Sequence, residues 1–255
     1  MAIKEYLDTH EAFSISDFER AFPGSRTDRN LLSRAVGRGA VDRPRRGLYV
    51  SRSGRFAHSA ADPLDVAVAV ADDVVFCYLT ALRLHGAAHD VTRVTRFYSR
   101  HGIARFAYGG QVFVPHRLGD REVDTQSLLT ASGNAYRVTT GEQTVIDCLA
   151  RPALAGGPEH LLRRLGAFAH PDVAKLLGLA DAVSLSTAAR LGWVLSTKRE
   201  DWGVTDAQLA ALARQRGKGP YYFWSSQPPR DSHWVNRWRL YLPHPEQEMA
   251  SWLNL

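Results

Sequence analysis

The sequence predicts an α+β protein made of a small N-terminal domain, residues 1–55, and a larger mixed domain, residues 56–255. Two observations carry this prediction. Apolar residues recur at helical spacing through the N-terminal segment, which ends in a short arginine-rich hairpin pattern. Residues 51–62 then contain a glycine and small polar residues without periodicity, which is typical of a linker, and regular patterns resume beyond them.

The N-terminal domain begins with two short predicted helices. Ile3, Tyr6 and Leu7 share one face of the first helix. Ser16 followed by Glu19 has the spacing of a capping box, in which a hydroxyl and a carboxylate exchange hydrogen bonds with helix-terminal amides. The second helix is therefore expected to begin at Ser16.

A third helix is predicted over residues 26–37, with an apolar face and a polar face on opposite sides. The apolar face carries Leu31, Leu32, Ala35 and Val36. The polar face and its flanks carry the candidate DNA-contacting residues Arg26, Thr27, Arg29, Asn30, Ser33, Arg34 and Arg38. Arginine and asparagine can read guanine and adenine edges in the major groove, whereas Thr27 and Ser33 are better suited to phosphates. This division is typical of a recognition helix.

A short hairpin with a basic tip is predicted after the third helix. Residues 40–42 and 48–50 have the pattern of two short strands, and residues 43–47 form a basic turn between them. Two helices, a turn and then a basic hairpin are the elements of a winged helix-turn-helix. The candidate contacts of the wing, to phosphates or in the minor groove, are Arg43, Arg45 and Arg46.

Positive charge is concentrated in the same segment. Between Arg26 and Arg55 the chain has nine arginines and two aspartates, a net charge of +7; the whole protein has +6, so the remaining residues together carry −1. Such a concentration indicates a nucleic-acid footprint. The alternative is a solvated basic surface, because arginine is the usual cation of a chain with only four lysines. The order of the elements favours double-stranded DNA as the partner.

The larger domain has three predicted parts. They are a β-rich part over residues 90–138, a helical part over 140–215 and an aromatic, proline-broken part over 220–255. Gly109-Gly110 between two strand patterns is a two-residue hairpin signal, and the apolar run over residues 74–86 predicts a helix. The aromatic residues of the last part are expected to pack against the domain rather than to form an interaction surface.

Several blocks of the sequence resemble the AbiEi family of bacterial antitoxins. Residues 32–49, LSRAVGRGAVDRPRRGLY, are similar to the recognition helix and wing of that family. The most specific block is residues 137–152, RVTTGEQTVIDCLARP, followed by Gly156-Gly157. TALRLHG at residues 80–86 and WRLY at residues 238–241 also match landmarks of the family.

The resemblance implies a two-domain repressor and antitoxin of a type IV toxin–antitoxin system. The N-terminal winged helix would bind inverted repeats in its own promoter, and the larger antitoxin domain would counteract a partner nucleotidyltransferase toxin. A stand-alone winged-helix regulator without a toxin is the alternative.

An enzyme is the rival class of protein. A metal-dependent nuclease needs clustered carboxylates and usually a Glu-x-Lys pair, and none of the four lysines follows a glutamate or glutamine at that spacing. Glu142 and Asp147 are five residues apart on one predicted helix and point in different directions. His85 and His89 have the spacing of zinc ligands, but Gly86 ends the helix between them. We therefore expect no catalytic site, no metal ion and no cofactor.

The composition also bears on the cellular compartment. The two cysteines, Cys77 and Cys148, are too few for a disulfide scaffold. The sequence has no uninterrupted apolar stretch of the length of a membrane helix, and its first residues lack the apolar region of a secretory signal. We expect a cytoplasmic protein without a membrane partner.

Overall fold

A computed structural model describes residues 2–23, 26–88, 92–129, 133, 135–168, 170–215, 217–224 and 231–254. Contacts between residues divide the chain into two compact units. Unit 1 comprises Met1–Phe76, Val91–Glu122 and Ser127–Arg137, and unit 2 comprises Cys77–Asp90, Val123–Gln126 and Val138–Leu255. Unit 1 thus contains the whole predicted winged-helix segment together with later strands. The α+β class predicted from the sequence is confirmed.

The N-terminal part of unit 1 has the topology of a winged helix. Its elements are α1 (Ile3–Thr9), β1 (Ala12–Ser14), α2 (Ile15–Ala21), α3 (Arg26–Gly37), β2 (Val41–Arg45) and β3 (Leu48–Ser51). The three strands form an antiparallel sheet in the order β1-β3-β2. Helix α3 has the bounds predicted from the sequence, and β2 and β3 form the predicted hairpin, which we call the wing.

A small aromatic core holds this part together. The Tyr6 ring packs edge-on against Phe13 and Phe18, with ring centroids 5.1 and 5.7 Å apart. Leu32 and Ala35 of α3 are buried in the same cluster. Because aromatic side chains bury a large apolar area, they dominate the stabilisation of a core of this size. The core therefore fixes which face of α3 is turned outward.

The start of α2 differs from the prediction. The cap is Ser14 rather than Ser16: Ser14 Oγ accepts a hydrogen bond from the Asp17 amide, and the Asp17 carboxylate accepts one from the Ser14 amide. Strand β1 keeps the chain extended only as far as Ser14, so the helix begins at Ile15. The predicted capping partner Glu19 is consequently available for another contact.

The rest of unit 1 is a mixed sheet with one short helix. Its elements are α4 (Pro63–Val68), β4 (Val75–Phe76), β5 (Val94–Ser99), β6 (Phe106–Tyr108), β7 (Gln111–Arg117), β8 (Thr125–Leu129) and β9 (Ala135–Thr139), of which β8 and β9 each have one end in unit 2. The strand order is β6-β7-β5-β4-β9-β8. Gly109 and Gly110, with φ angles of +57° and +76°, form the predicted turn between the antiparallel strands β6 and β7.

Unit 2 is mainly helical. Its elements are α5 (Tyr78–Leu84), α6 (Gly141–Ala150), α7 (Pro158–Gly166), α8 (Val173–Ala180), α9 (Leu185–Thr197), α10 (Asp206–Gln215), β10 (Tyr221–Tyr222), β11 (His233–Val235), β12 (Leu240–Leu242) and α11 (Glu246–Leu253). The helix predicted over residues 74–86 is wrong in its first part, because Val75 and Phe76 belong to β4 and α5 begins at Tyr78. None of the helices in the described part of the chain is both long enough and apolar enough to span a membrane.

The aromatic C-terminal residues pack partly inside unit 2. Trp238 is almost fully buried, and its Nε1 donates a hydrogen bond to Ser196 Oγ of α9 at 3.0 Å. The Trp238 ring lies directly against Gly192 of α9, so closely that any Cβ at that position would overlap it. Trp224 and Trp234, by contrast, are 42% and 44% exposed. The Trp234 ring contacts Tyr241, with ring centroids 4.8 Å apart. The expected packing is therefore confirmed for Trp238 and only partial for these two.

Candidate nucleic-acid interface

The outward face of α3 is exposed and polar. The exposed side chains predicted to contact DNA are those of Thr27, Arg29, Asn30, Ser33, Arg34 and Arg38. Leu32 and Ala35 are buried on the opposite face, as predicted, whereas Leu31 is 36% exposed because it lies at the margin of the buried stripe. Arg26 is the first residue of α3, and its side chain lies outside the described part of the structure.

Several of these arginines are not neutralised by neighbouring side chains. Among the described residues, none forms an ion pair with Arg34, Arg38 or Arg46. Arg29 pairs with Glu19 of α2 at 2.7 Å, with both side chains more than a third exposed. Exposed pairs of this kind contribute at most about 1 kcal/mol, so Glu19 holds Arg29 only weakly.

The wing turn is tighter than predicted. Strand β2 continues through Arg45, which pairs with Leu48 after a bulge, so only Arg46 and Gly47 form the turn. Gly47 has a φ of +83°, a left-handed conformation that glycine adopts without steric cost. Arg43 and Arg46 are exposed, as a DNA contact requires. The prediction that residues 43–47 form the turn is therefore wrong at its first three positions.

Arg45 differs from the other two wing arginines. It is half-buried, and its Nη1 donates a hydrogen bond to the Ala104 carbonyl at 3.3 Å. Its guanidinium carbon lies 5.5 Å from the centroid of the Phe106 ring, within the range of a cation–π contact. Arg45 thus joins the wing to the start of β6, and its contact with DNA stays a prediction.

The helix and the wing line a common cavity. This open cavity of about 270 Å³ is bordered by Arg29 and Ser33 of α3, by Arg43 of β2 and by Tyr49 of β3. The Arg43 guanidinium carbon lies 5.8 Å from the centroid of the Tyr49 ring. The structure therefore brings residues predicted separately on the helix and on the wing to one continuous surface.

The base of the wing is attached to the sheet of unit 1. Tyr108 Oη donates a hydrogen bond to Asp42 Oδ2 at 2.7 Å, and Arg52 Nε donates to the same oxygen at 2.8 Å. Burial pushes the pKa of Asp42 up, but these two hydrogen bonds hold it below its ordinary value, so the carboxylate is ionised at neutral pH. Sequence reasoning missed this contact because 66 residues separate Tyr108 from Asp42.

A second basic segment lies in the sheet of unit 1. Residues 91–122 contain six arginines and two acidic residues, a net charge of +4. The net charge of all residues outside 26–55 is nevertheless −1, because acidic residues elsewhere in the chain cancel the charge of this segment. Residues 26–55, with a net charge of +7, remain the more basic of the two segments.

Unit 2 contains a lysine between two carboxylates that are distant in sequence. Lys175 Nζ lies 2.6 Å from Asp124 Oδ2 and 3.4 Å from Glu142 Oε2, and Thr140 Oγ1 donates to Asp124 at 2.9 Å. Hydrogen bonding between the pair lowers the pKa of Asp124 and raises the pKa of Lys175, so both groups are charged at neutral pH. Spacing motifs could not reveal this cluster, whose contacts are those of an ion-pair network.

Three potential metal ligands approach one another in unit 1. Asp72, Asp73 and His101 each offer one ligand atom, and these atoms lie within 4.8 Å of one another. The Asp73 carboxylate already accepts hydrogen bonds from Ser99 Oγ and the Arg100 amide. Asp73 thus binds the last residue of β5 and the residue after it, and these contacts give its carboxylate a structural role as a cap.

Comparison with known proteins relates the fold to a solved structure. The structure of the RV2827C protein from Mycobacterium tuberculosis is similar with a TM-score of 0.66 and 15% sequence identity, over 94% of this chain and 89% of that chain. At this identity the similarity concerns the fold alone. No family model matches the chain, and no curated protein matches its sequence. The resemblance to AbiEi antitoxins therefore stays a prediction.

Proposed function

We propose that this chain is a DNA-binding transcriptional repressor that contacts duplex DNA with α3 and the wing. The observation that supports this proposal most is the exposed arginine-bearing face of α3, which shares one cavity with the wing. Arginines without carboxylate partners gain the most binding free energy from DNA phosphates. Their binding breaks no existing ion pair, and it releases counterions from the DNA.

The geometry of α3 suits the major groove. Its 12 residues span about 18 Å at 1.5 Å per residue, and the major groove is wide enough to admit an α-helix. Asn30, Ser33 and Arg34 are spaced so that they share one exposed face. Asn30 and Arg34 are the side chains on that face that can make paired hydrogen bonds to adenine and guanine. We assign them to base reading and assign Arg38 and Arg46 to phosphates.

The test of base reading separates specific from nonspecific binding. A preferred sequence is first selected from a random duplex library with the wild-type chain, and a scrambled duplex serves as the control. Asn30→Ala should cost about 1–3 kcal/mol on the selected duplex. It should change binding to the scrambled duplex little, because asparagine is uncharged. Equal losses on both duplexes would contradict the assignment of Asn30 to base reading.

We further propose that the repressor is the antitoxin of a type IV toxin–antitoxin pair and acts against a nucleotidyltransferase. This part of the proposal is supported by the sequence blocks that resemble AbiEi antitoxins, above all residues 137–152, which contain the end of β9 and the whole of α6. The chain would repress its own operon by binding inverted repeats in the promoter.

Co-expression tests the antitoxin half of the proposal. Expression of a nucleotidyltransferase whose gene lies beside the gene for this chain should stop growth. Co-expression of the wild-type chain should restore growth. A nucleotidyltransferase variant without its catalytic carboxylates is the control for toxicity. Absence of rescue, with DNA binding intact, would favour the stand-alone regulator instead.

A further inference from the structure

We propose that Arg105, in the segment between β5 and β6, is a further DNA-contacting residue that lies beside the wing. This inference rests on the proposed DNA binding and extends the interface beyond the winged-helix segment. Residue 105 lies far outside the predicted N-terminal domain, so nothing in the local sequence pattern assigns it to the interface. The partner would be the phosphate backbone of duplex DNA.

The two residues that flank Arg105 both touch the same wing residue. The Ala104 carbonyl accepts the hydrogen bond from Arg45 Nη1 at 3.3 Å, and the Phe106 ring lies 5.5 Å from the Arg45 guanidinium carbon. The backbone of Arg105 is therefore held next to the end of β2, close to the wing turn at Arg46. Arg45 acts here as a positioning residue, since it binds the neighbouring segment.

The segment is also fixed at its far end. Tyr108, the last residue of β6, hydrogen-bonds Asp42 in β2, and the Arg52 guanidinium carbon lies 5.7 Å from the centroid of the Tyr108 ring. Phe106 stacks on Phe113 of β7, with ring centroids 4.5 Å apart. Contacts at both ends of β6 preorganise Arg105, so that little conformational entropy is lost when a phosphate binds.

The chain on both sides of Arg105 is basic. Arg105 is exposed, and among the described residues it has no ion pair or side-chain hydrogen bond. From Arg93 to Gly119 the chain has five arginines and no acidic residue. An unpaired arginine in an acid-free segment adds to the positive potential of the adjoining wing. A duplex docked on α3 and the wing would therefore meet Arg105 with its backbone.

The experiment compares three alanine variants on one probe. The probe is a fluorescein-labelled duplex of mixed sequence, about 30 base pairs or three helical turns long, titrated by anisotropy between about 50 and 200 mM salt. Arg105→Ala should bind several-fold more weakly than the wild type, with a slope of log affinity against log salt that is smaller by about one. Arg105→Lys should restore most of the affinity and most of the salt slope. Arg46→Ala is the positive control, and Arg214→Ala, exposed on α10 of unit 2, is the matched control.

The outcomes distinguish this inference from the proposed function. If Arg105→Ala binds like Arg214→Ala while Arg46→Ala is impaired, DNA binding stands and the contact at Arg105 is refuted. If the wild-type chain binds no duplex at any salt concentration, the proposed function fails and this inference fails with it. Because Arg105 is exposed and without side-chain partners among the described residues, its variants are expected to fold, which thermal unfolding verifies.

Discussion

Replacement of Arg34, Arg38 and Arg46 together by alanine should lower the affinity of the chain for duplex DNA about a hundredfold to a thousandfold at about 0.1 M salt. Each arginine that neutralises one phosphate contributes about 0.9 to the slope of log affinity against log salt. The triple variant should therefore also have a slope smaller by about three. The effect is large because, among the described residues, none neutralises these three side chains.

A control of equal charge separates this contact from general attraction. Arg83, Arg151 and Arg214 are exposed arginines of unit 2, and their triple alanine variant has the same net charge as the test variant. It should bind the duplex within about twofold of the wild type, since none of these three arginines belongs to α3 or the wing. Equal losses in the two triple variants would show that net charge alone attracts DNA, and would contradict the interface on α3 and the wing.

Replacement of Gly192 by alanine should destabilise unit 2 by about 1–3 kcal/mol, the usual cost of overpacking a core. The new Cβ would overlap the Trp238 ring, which cannot withdraw easily because Trp238 is buried and bonded to Ser196. Alanine is otherwise the better residue in a helix by about 0.5–1 kcal/mol, so destabilisation identifies the steric contact as its cause. Urea unfolding followed by tryptophan fluorescence measures the change.

Gly178 supplies the matched control for this variant. It lies in α8 of the same unit, is exposed, and a Cβ there would have no neighbour within 4 Å. Gly178→Ala should therefore stabilise unit 2 by about 0.5–1 kcal/mol. We expect the free energy of unfolding to fall in Gly192→Ala and to rise in Gly178→Ala. A Gly192→Ala protein as stable as the wild type would mean that the Trp238 ring is not held against α9.

The sequence predicted those elements whose signals are local. Helix α3 was predictable to the residue because its apolar positions repeat at helical spacing, and the turn at Gly109-Gly110 because few residues other than glycine adopt its backbone angles. The secondary structure of the apolar run that begins at Val74 was not predictable, because a short, continuously apolar segment fits a buried strand as well as a helix. The position of Val75 and Phe76 between β5 and β9 in the sheet identifies them as strand.

The residue types of the candidate site could be predicted from the sequence, but the contacts of each residue could not. Arg43, Arg45 and Arg46 are alike in sequence, but in the structure the Ala104 carbonyl and the Phe106 ring contact Arg45. The cluster around Lys175 was hidden for the same reason, because its partners lie on other elements. Contacts between residues far apart in the chain leave no periodic signal, so they could not be read from one sequence.

The attachment of the wing to Tyr108 bears on how the protein is made. A nascent chain of 55 residues has already produced α3 and the wing but lacks Ala104, Phe106 and Tyr108, and unit 1 is complete only when Arg137 has been added. At about 5–20 residues per second, a bacterial or eukaryotic ribosome needs roughly 7–30 seconds to reach that point. The wing therefore gains its attachment to the sheet only after residue 108 has been synthesised, well after α3 and the wing themselves.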